Sequence, residues 1–220
     1  MKKIIFIIVL FSIVCGNIFS QTGRKLNESE KSAFEQKMID RLKEIETLQC
    51  NFVQEKTSAL VTKKAVSNGI LLYQYPSMLR WEYLNPNPST LILNANYAVL
   101  LNKDGKKTGN SQMIKQLGGL IISLINGDGI KDSKKFSTEI FETDSQFSIV
   151  FTPVQKRLQE HFKSIELKID KNTLLSPEMI MNEKSGDKTV IYMNDKILNK
   201  EISQNKFTVK EDIIVDISKK

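Results

Sequence analysis

The residues that could do chemistry in this 220-residue chain are few and stand apart from one another. His161 is the sole histidine and lies among charged residues, which is typical of a surface or strand-entry position. No pair of His or Cys residues has the spacing of metal ligands. The glycines of Gly118-Gly119 and Gly127-Asp-Gly match neither a dinucleotide fingerprint nor a phosphate-binding loop. These patterns argue against an enzyme, although the many Asp and Glu residues leave a catalytic carboxylate pair open.

The segment Gly69–Pro88 is instead rich in apolar and aromatic residues and contains the only tryptophan. Leu79, Trp81 and Tyr83 alternate with charged residues, and this period of two predicts a half-buried strand. A second strand precedes it, and the two are joined through Pro76. Two interpretations of the apolar face stay open, since it could form an ordinary protein core or line a cavity for an apolar ligand.

The first twenty residues have the pattern of a secretory signal peptide. Lys2 and Lys3 precede an apolar run of about 11 residues, which is shorter than the roughly 20 needed to span a bilayer. We expect cleavage near Ser20 and a single exported domain over residues 21–220. A signal anchor is one alternative, and a lipoprotein acylated at Cys15 is another.

Removal of this segment lowers the formal net charge from +7 to +5, because Lys2 and Lys3 are its only charged residues. The remaining basic residues are scattered among acidic ones, so we do not expect a nucleic-acid partner. Cys50 is then the only cysteine, which excludes an internal disulfide bond. Because it alternates with Leu48 and Phe52, it is predicted to be a small buried apolar residue.

Two amphipathic helices are predicted. The first begins at Asn27, three residues before Glu30, and ends near Thr47. The second begins at Ser111, bends at Gly118-Gly119 and ends at Asn126. Their apolar residues recur at spacings of three and four: Phe34, Met38, Leu42 and Ile45 in the first helix, and Met113, Ile114, Leu117, Leu120, Ile121, Leu124 and Ile125 in the second.

The rest of the chain is predicted to form ten or eleven short strands separated by turn residues. So many consecutive antiparallel strands should curl toward a barrel, because strand twist accumulates. The predicted fold is α+β: an unclosed antiparallel half-barrel of about eleven strands, with a helical lid over an apolar cavity. The first strand is expected at 48–56, and Thr57–Ser67 is expected to be the hairpin connection to the strand pair in Gly69–Leu84. The later strands are expected at 90–93, 97–102, 136–142, 147–152, 162–170, 174–181, 189–193 and 207–209, with a short return strand after Gly105.

In its layout, from the export signal and the amphipathic first helix onward, essentially the whole mature chain resembles the LolA family of periplasmic lipoprotein carriers, and the specific part of the resemblance is Cys50 to Pro88. The resemblance rests on Asn51-Phe-Val-Gln in the first strand, Gly69 at the start of the second, and Pro76-Ser-Met-Leu-Arg-Trp-Glu-Tyr followed by Pro86. The C-terminal half is similar only in the rhythm of its strands. One position differs, because the well-studied branch has an arginine directly before the proline that ties the lid to the barrel, and this chain has Tyr75 there.

The resemblance implies a chaperone that binds the acyl chains of lipoproteins and carries them from the inner to the outer membrane. It also implies an inner-membrane lipoprotein-releasing ABC transporter as donor, an outer-membrane acceptor, and no cofactor. We further expect a monomer. The rivals are a lipid-sensing or lipid-binding module of the same fold in envelope regulation, and an exported enzyme.

Strand parity and helix periodicity together predict the residues that would line the acyl-chain cavity. Each of them could equally be plain core. They are Phe52, Leu71, Tyr73, Leu79, Trp81 and Tyr83 on the barrel wall, and Met113, Leu117, Leu120, Ile121 and Leu124 on the lid.

Overall fold

A computed structural model describes residues 23–60, 64–109, 111–209 and 213. They form a twelve-stranded antiparallel sheet with four α-helices and a 3₁₀ helix. The helices are α1 (Glu28–Lys43), α2 (Ser111–Ile125), α3 (Asp128–Lys131) and α4 (Lys156–Gln159), and the 3₁₀ helix is Gln204–Phe207. The strands are β1 (Arg24–Lys25), β2 (Thr47–Thr57), β3 (Ala65–Gln74), β4 (Met78–Asn85), β5 (Ser89–Leu93), β6 (Ala98–Asn102), β7 (Lys107–Thr108), β8 (Phe136–Glu142), β9 (Gln146–Pro153), β10 (Phe162–Asp170), β11 (Glu178–Glu183) and β12 (Lys188–Leu198).

The strands follow the spatial order β1-β8-β9-β10-β11-β12-β2-β3-β4-β5-β6-β7. β1 and β7 are therefore the two edges, and they do not pair with each other. Twist accumulated over twelve strands gives such a sheet a concave and a convex face. The predicted unclosed antiparallel sheet with accompanying helices is confirmed, with one strand more than expected.

The chain crosses the opening of the sheet between β7 and β8. Since β7 is one edge and β8 lies next to the opposite edge, residues 109–135 connect the two sides. α2 and α3 form within this crossing, and α2 packs against β4, β5 and β6.

A Cβ atom on Gly118 would lie 3.1 Å from Cδ2 of Leu93, so the glycine lets α2 approach the sheet closely. α2 runs through Gly118-Gly119 without interruption, so the two glycines do not end the helix.

α1 begins where the sequence predicts. The Asn27 side chain accepts a hydrogen bond from the Glu30 amide at 3.0 Å, and the Glu30 carboxylate accepts one from the Asn27 amide at 2.9 Å. These reciprocal bonds satisfy two donors at the start of the helix. The helix ends at Lys43 rather than near Thr47, because Thr47 is already the first residue of β2.

The turn between α1 and β2 is held from the far end of β12. Asn199 accepts a hydrogen bond from the Glu46 amide at 2.9 Å and donates one to the Glu44 carbonyl at 2.8 Å. Its φ of 55° is left-handed, a conformation that Asn adopts more readily than most residues. One side chain therefore fixes the C-terminal end of α1 to the sheet.

The C-terminal segment covers the convex face, where a strand was predicted at 207–209. That prediction is wrong, because Phe207 ends a 3₁₀ helix and Thr208 and Val209 lie outside the sheet. Phe207 and Ile92 are each only 1% exposed. The Phe207 carbonyl accepts a hydrogen bond from Asn94 at 3.0 Å, so the alternation of this segment reflects packing on the sheet and not pairing with it.

Several other boundaries differ from the prediction. β3 begins at Ala65, within the expected hairpin connection, and β11 begins at Glu178 instead of Leu174. β1, α3 and α4 were not predicted, since elements of two to four residues carry little periodic signal. The predicted export signal lies outside the described residues. Among the residues that are described, no helix is both long and apolar enough to cross a membrane.

Candidate functional site

Three aromatic side chains occupy the middle of the concave face. The rings of Phe52 and Trp81 lie 4.7 Å apart, and those of Phe52 and Tyr83 lie 5.2 Å apart. Phe52 pairs in register with Gly69, where a Cβ atom would lie 2.5 Å from the Phe52 ring and 1.9 Å from the Glu82 carbonyl oxygen. The absence of a side chain at Gly69 thus makes room for the Phe52 ring to lie across β3.

On one side of this cluster lies the closed end, a cavity of about 70 Å³ beneath α1, α2 and α3. An apolar cavity of about 150 Å³ holds one benzene molecule. The closed end has about half that free space and is therefore nearly filled by its own side chains. Its lining is almost entirely apolar: Met38, Leu42, Ile45, Leu48, Leu71, Trp81, Ile121, Leu124, Ile125, Ile130, Leu167, Ile169, Leu174, Leu175, Ser176, Met179, Met193 and Lys196.

On the other side lies the open end, a cleft of about 770 Å³ between α2 and strands β10 to β12. Its floor is partly apolar, and its rim carries four basic residues and one carboxylate. It is lined by Gln54, Lys56, Tyr83, Lys115, Gln116, Gly119, Leu120, Ser123, Lys135, Gln155, Arg157, Leu158, His161, Phe162, Met181, Glu183 and Thr189.

The same strands build both ends. On β4, Trp81 lines the closed end and Tyr83 the open end; on β11, Met179 and Met181 divide in the same way. These pairs are two residues apart and point to the same face of the sheet. The two spaces are therefore successive parts of one concave surface, with Phe52 between them on β2.

The Tyr83 hydroxyl donates a hydrogen bond to Gln54 at 2.8 Å. Burial raises the pKa of Tyr83, and hydrogen bonding with the Trp81 indole and Gln54 partly offsets the rise. The Trp81 Nε1 is nevertheless fully enclosed without a hydrogen bond of good geometry to any described residue, and the Tyr73 hydroxyl is enclosed in the same way. Buried donors without partners are rare, because each costs free energy.

Cys50 lies inward on β2, between Leu48 and Phe52, and is 3% exposed. Burial raises its pKa to about 11, although the Lys196 ammonium lowers it. The thiol is therefore protonated near neutral pH and is a poor nucleophile. The prediction of a small buried apolar residue is confirmed.

The structure brings most of the predicted cavity residues to this concave surface, while their contact with a ligand stays a prediction. Phe52, Leu71, Tyr73, Leu79 and Trp81 are each at most 3% exposed. Of the whole set, Leu71, Trp81, Ile121 and Leu124 line the closed end, and Tyr83 and Leu120 line the open end. The side chains of Met113 and Leu117 lie outside the described part of the molecule.

Sequence reasoning missed the contributions of β10 to β12 and of α3. Met179, Met181 and Met193 line the two spaces, but only the N-terminal strands were assigned to the wall. Their alternation could have been used in the same way. Lys196 could not have been found by parity, because β12 changes register just before it.

The remaining chemistry-bearing residues give no sign of catalysis. His161 is exposed immediately before β10, at the rim of the open end. Over the described ranges, no cluster of three or more His, Cys, Asp or Glu residues could hold a metal ion. Tyr75 is 59% exposed, and its hydroxyl forms no hydrogen bond within the described residues.

Comparisons with known proteins agree with this architecture. The chain is 24% identical over 180 residues to an outer-membrane lipoprotein carrier protein of Shewanella sediminis, covering 80% of this chain and 82% of the relative. It is 20% identical over 219 residues to the protein of the same name from Pseudoalteromonas translucida, covering 98% and 97%. The crystal structure of an uncharacterised conserved protein from Thermus thermophilus superposes with a TM-score of 0.50 at 11% identity, covering 83% and 96%, which supports the fold.

The family model described as outer membrane lipoprotein carrier protein LolA matches residues 43–210. The match begins at the last residue of α1 and extends past β12, so it includes the open end and, except for Met38 and Leu42, the lining of the closed end. This chain therefore belongs to the LolA family.

Proposed function

We propose that this protein binds the acyl chains of lipoproteins on the concave surface of its sheet and carries them through the periplasm from the inner to the outer membrane. The observation that carries the proposal is the continuity of the two ends, which gives one apolar surface beneath a helical crossing. Membership of the LolA family and the carrier names of the relatives support it. They point to a binding or carrier protein and not to an enzyme.

The energetics fit a carrier. Each buried methylene group contributes about 0.8 kcal/mol, so one sixteen-carbon chain exposes on the order of 10 kcal/mol of unfavourable surface to water. A carrier has to cover that surface and later release it. The nearly filled closed end covers its own apolar residues when empty, so loading requires α1, α2 or α3 to move and release can be driven by their return.

The flexible side chains in the lining suit such repacking. Methionine has three rotatable bonds and tolerates irregular contacts better than branched residues do. Met38, Met179 and Met193 line the closed end, and Met181 lines the open end. The donor of the cargo would be an inner-membrane lipoprotein-releasing ABC transporter, and the recipient an outer-membrane acceptor.

The experiment is native mass spectrometry of the protein purified from an envelope extract. We expect an acylated lipoprotein to co-purify, whereas a non-lipid ligand would contradict the proposal. Trp81→Glu replaces a large aromatic side chain of the apolar closed end by a carboxylate, which removes apolar contact area and is costly to bury, and should abolish co-purification. The matched control is Leu84→Glu, which adds the same charge to the exposed face of the same strand.

A second variant guards against simple unfolding. Ile121→Glu alters the half-buried lid side of the closed end and should cost less stability than a change at Trp81, which is 3% exposed. Both variants are checked by far-ultraviolet circular dichroism and thermal unfolding. Retention of lipoprotein by folded Trp81→Glu and Ile121→Glu proteins would show that the acyl chains bind elsewhere.

A further inference from the structure

Lys196 is the only charged side chain among the residues that line the closed end. The other lining residues are apolar except for Ser176, whose hydroxyl donates a hydrogen bond to the Glu178 carbonyl at 2.9 Å. A cation in such surroundings costs free energy unless a partner compensates for the lost water. Its placement therefore needs a structural cause.

The cause is a β-bulge in β12. Asn194 pairs with Asn51 and Ile197 pairs with Gln49, so Asp195 and Lys196 together stand opposite the single residue Cys50. Such a bulge reverses the alternation of side chains along the strand. Before it, Ile191 and Met193 face the concave surface; after it, Lys196 does so.

The bulge depends on Asp195, which has a left-handed φ of 51°. Without the extra residue, Asp195 would take the inward position and Lys196 would point to solvent. Instead the Asp195 carboxylate accepts a hydrogen bond from Asn51 at 2.9 Å on the outer face. The bulge therefore places the Lys196 ammonium, and not the Asp195 carboxylate, on the concave side of the sheet.

Lys196 has no carboxylate within ion-pair distance in the described part of the chain. Its ammonium donates only to the backbone carbonyl of Met193. Burial lowers its pKa, an effect that Cys50 and Asp170 partly offset. Trp81 adds a second donor to the same lining, because its Nε1 lacks a hydrogen bond of good geometry to any described residue. The closed end thus offers hydrogen-bond donors and no charged acceptor.

We propose that the closed end, enlarged by the same helix movement that loading requires, binds long-chain fatty acids, with the carboxylate held by the Lys196 ammonium and the hydrocarbon chain among the apolar lining residues. A carboxylate supplies the charge-assisted hydrogen bond that this ammonium lacks, and such bonds are stronger than those to neutral oxygens. The inference uses the same cavity as the proposed function but does not require that lipoproteins be the cargo.

The test is isothermal titration of the delipidated, signal-free protein with palmitate and with hexadecanol, which share a sixteen-carbon chain and differ in the head group. Palmitate should bind at least about tenfold more tightly than hexadecanol. Lys196→Met keeps an apolar stem of similar length and should abolish this preference without weakening hexadecanol binding. The matched control Lys188→Met removes the same charge from an exposed position on the same strand and should behave as the wild type.

Equal binding of the two ligands by the wild type would overturn the proposal, as would binding of neither. An equal loss of both in Lys196→Met would also overturn it, because it would indicate a structural role. Lipoprotein co-purification of the same variants separates this proposal from the carrier function. Loss of palmitate preference with retained lipoprotein confirms the site independently, and absence of lipoprotein from the wild type contradicts the carrier function alone.

Discussion

The two ends of the concave surface are built by the same strands, yet one is nearly filled and the other is open. The closed end has about 70 Å³ of free space and the open end about 770 Å³. The strands cannot account for this difference, since β4 and β11 each contribute a residue to both. The cover accounts for it: α1, α2 and α3 all contribute side chains to the closed end, whereas of these three helices only α2 borders the open end.

The largest expected effect comes from preventing α2 from leaving the sheet. A Cβ atom on Gly118 would lie 3.6 Å from the Leu93 Cβ, which is within the range for a disulfide bond. In a Cys50→Ala background, Leu93→Cys with Gly118→Cys should form this bond on oxidation and reduce loading of a diacylated lipopeptide at least about tenfold. Fluorescence of a labelled lipopeptide measures the loading.

The same double variant under reducing conditions is its own control and should recover loading. Undiminished loading of the oxidised protein would mean that the closed end opens without displacement of α2 from β5. Opening of the closed end would then have to come from movement of α1.

A matched pair on β11 tests how differently the two ends are packed. Met179 is 5% exposed in the closed end, whereas Met181 is half-buried in the open end. Met179→Ala should lower the free energy of unfolding by about 2–4 kcal/mol, and Met181→Ala by about 1 kcal/mol or less, because only the former leaves an enclosed void. Denaturant unfolding measures both, and equal losses would contradict the difference in packing.

Asn199 provides a smaller perturbation that is specific to the closed end. Asn199→Gly keeps the left-handed backbone but removes the hydrogen bonds to Glu44 and Glu46, and should cost about 1–2 kcal/mol. Hydrogen exchange should increase in α1 and stay unchanged in β10 to β12. Asn199→Asp retains the acceptor and should lose less stability; an increase in exchange across the whole sheet would show that the turn does not act on α1 alone.

The smallest expected effect is the pH dependence of the stabilisation by Cys50, which reports whether water reaches the closed end. The native pKa is about 11, above the ordinary value of about 8.5 in the unfolded chain. The thiol therefore contributes stability below about pH 8.5, and this contribution is lost as the pH rises toward 11. The stability difference between the wild type and Cys50→Ala should fall by about 0.7 kcal/mol from pH 8 to pH 9. A constant difference would mean that water reaches the closed end.

Much of the fold could be predicted from local patterns. The capping residues Asn27 and Glu30 located the start of α1, and the alternation around Trp81 gave the inward face of β4. The crossing between the sheet edges could not be predicted, because strand order depends on contacts between distant residues. The C-terminal strand was wrong for the same reason, since Phe207 packs on strands that lie about a hundred positions earlier in the sequence.

The candidate site was only partly accessible from the sequence. Parity identified the wall residues of β2 to β4 because these strands are regular over the relevant positions. It fails across the bulge at Asp195, where a left-handed residue reverses the alternation and turns Lys196 inward. The division into a closed and an open end depends on the position of α2, which sequence periodicity does not determine.

The crossing between β7 and β8 also limits the swelling of the interior. It joins the two sides of an unclosed sheet through one continuous segment of the chain. The two edges can therefore separate only as far as this segment can extend. Any widening of the interior is thus limited covalently by the length of residues 109–135. Proteolytic cleavage within residues 109–135 would remove this limit on the separation of the two sheet edges without breaking any pair of strands.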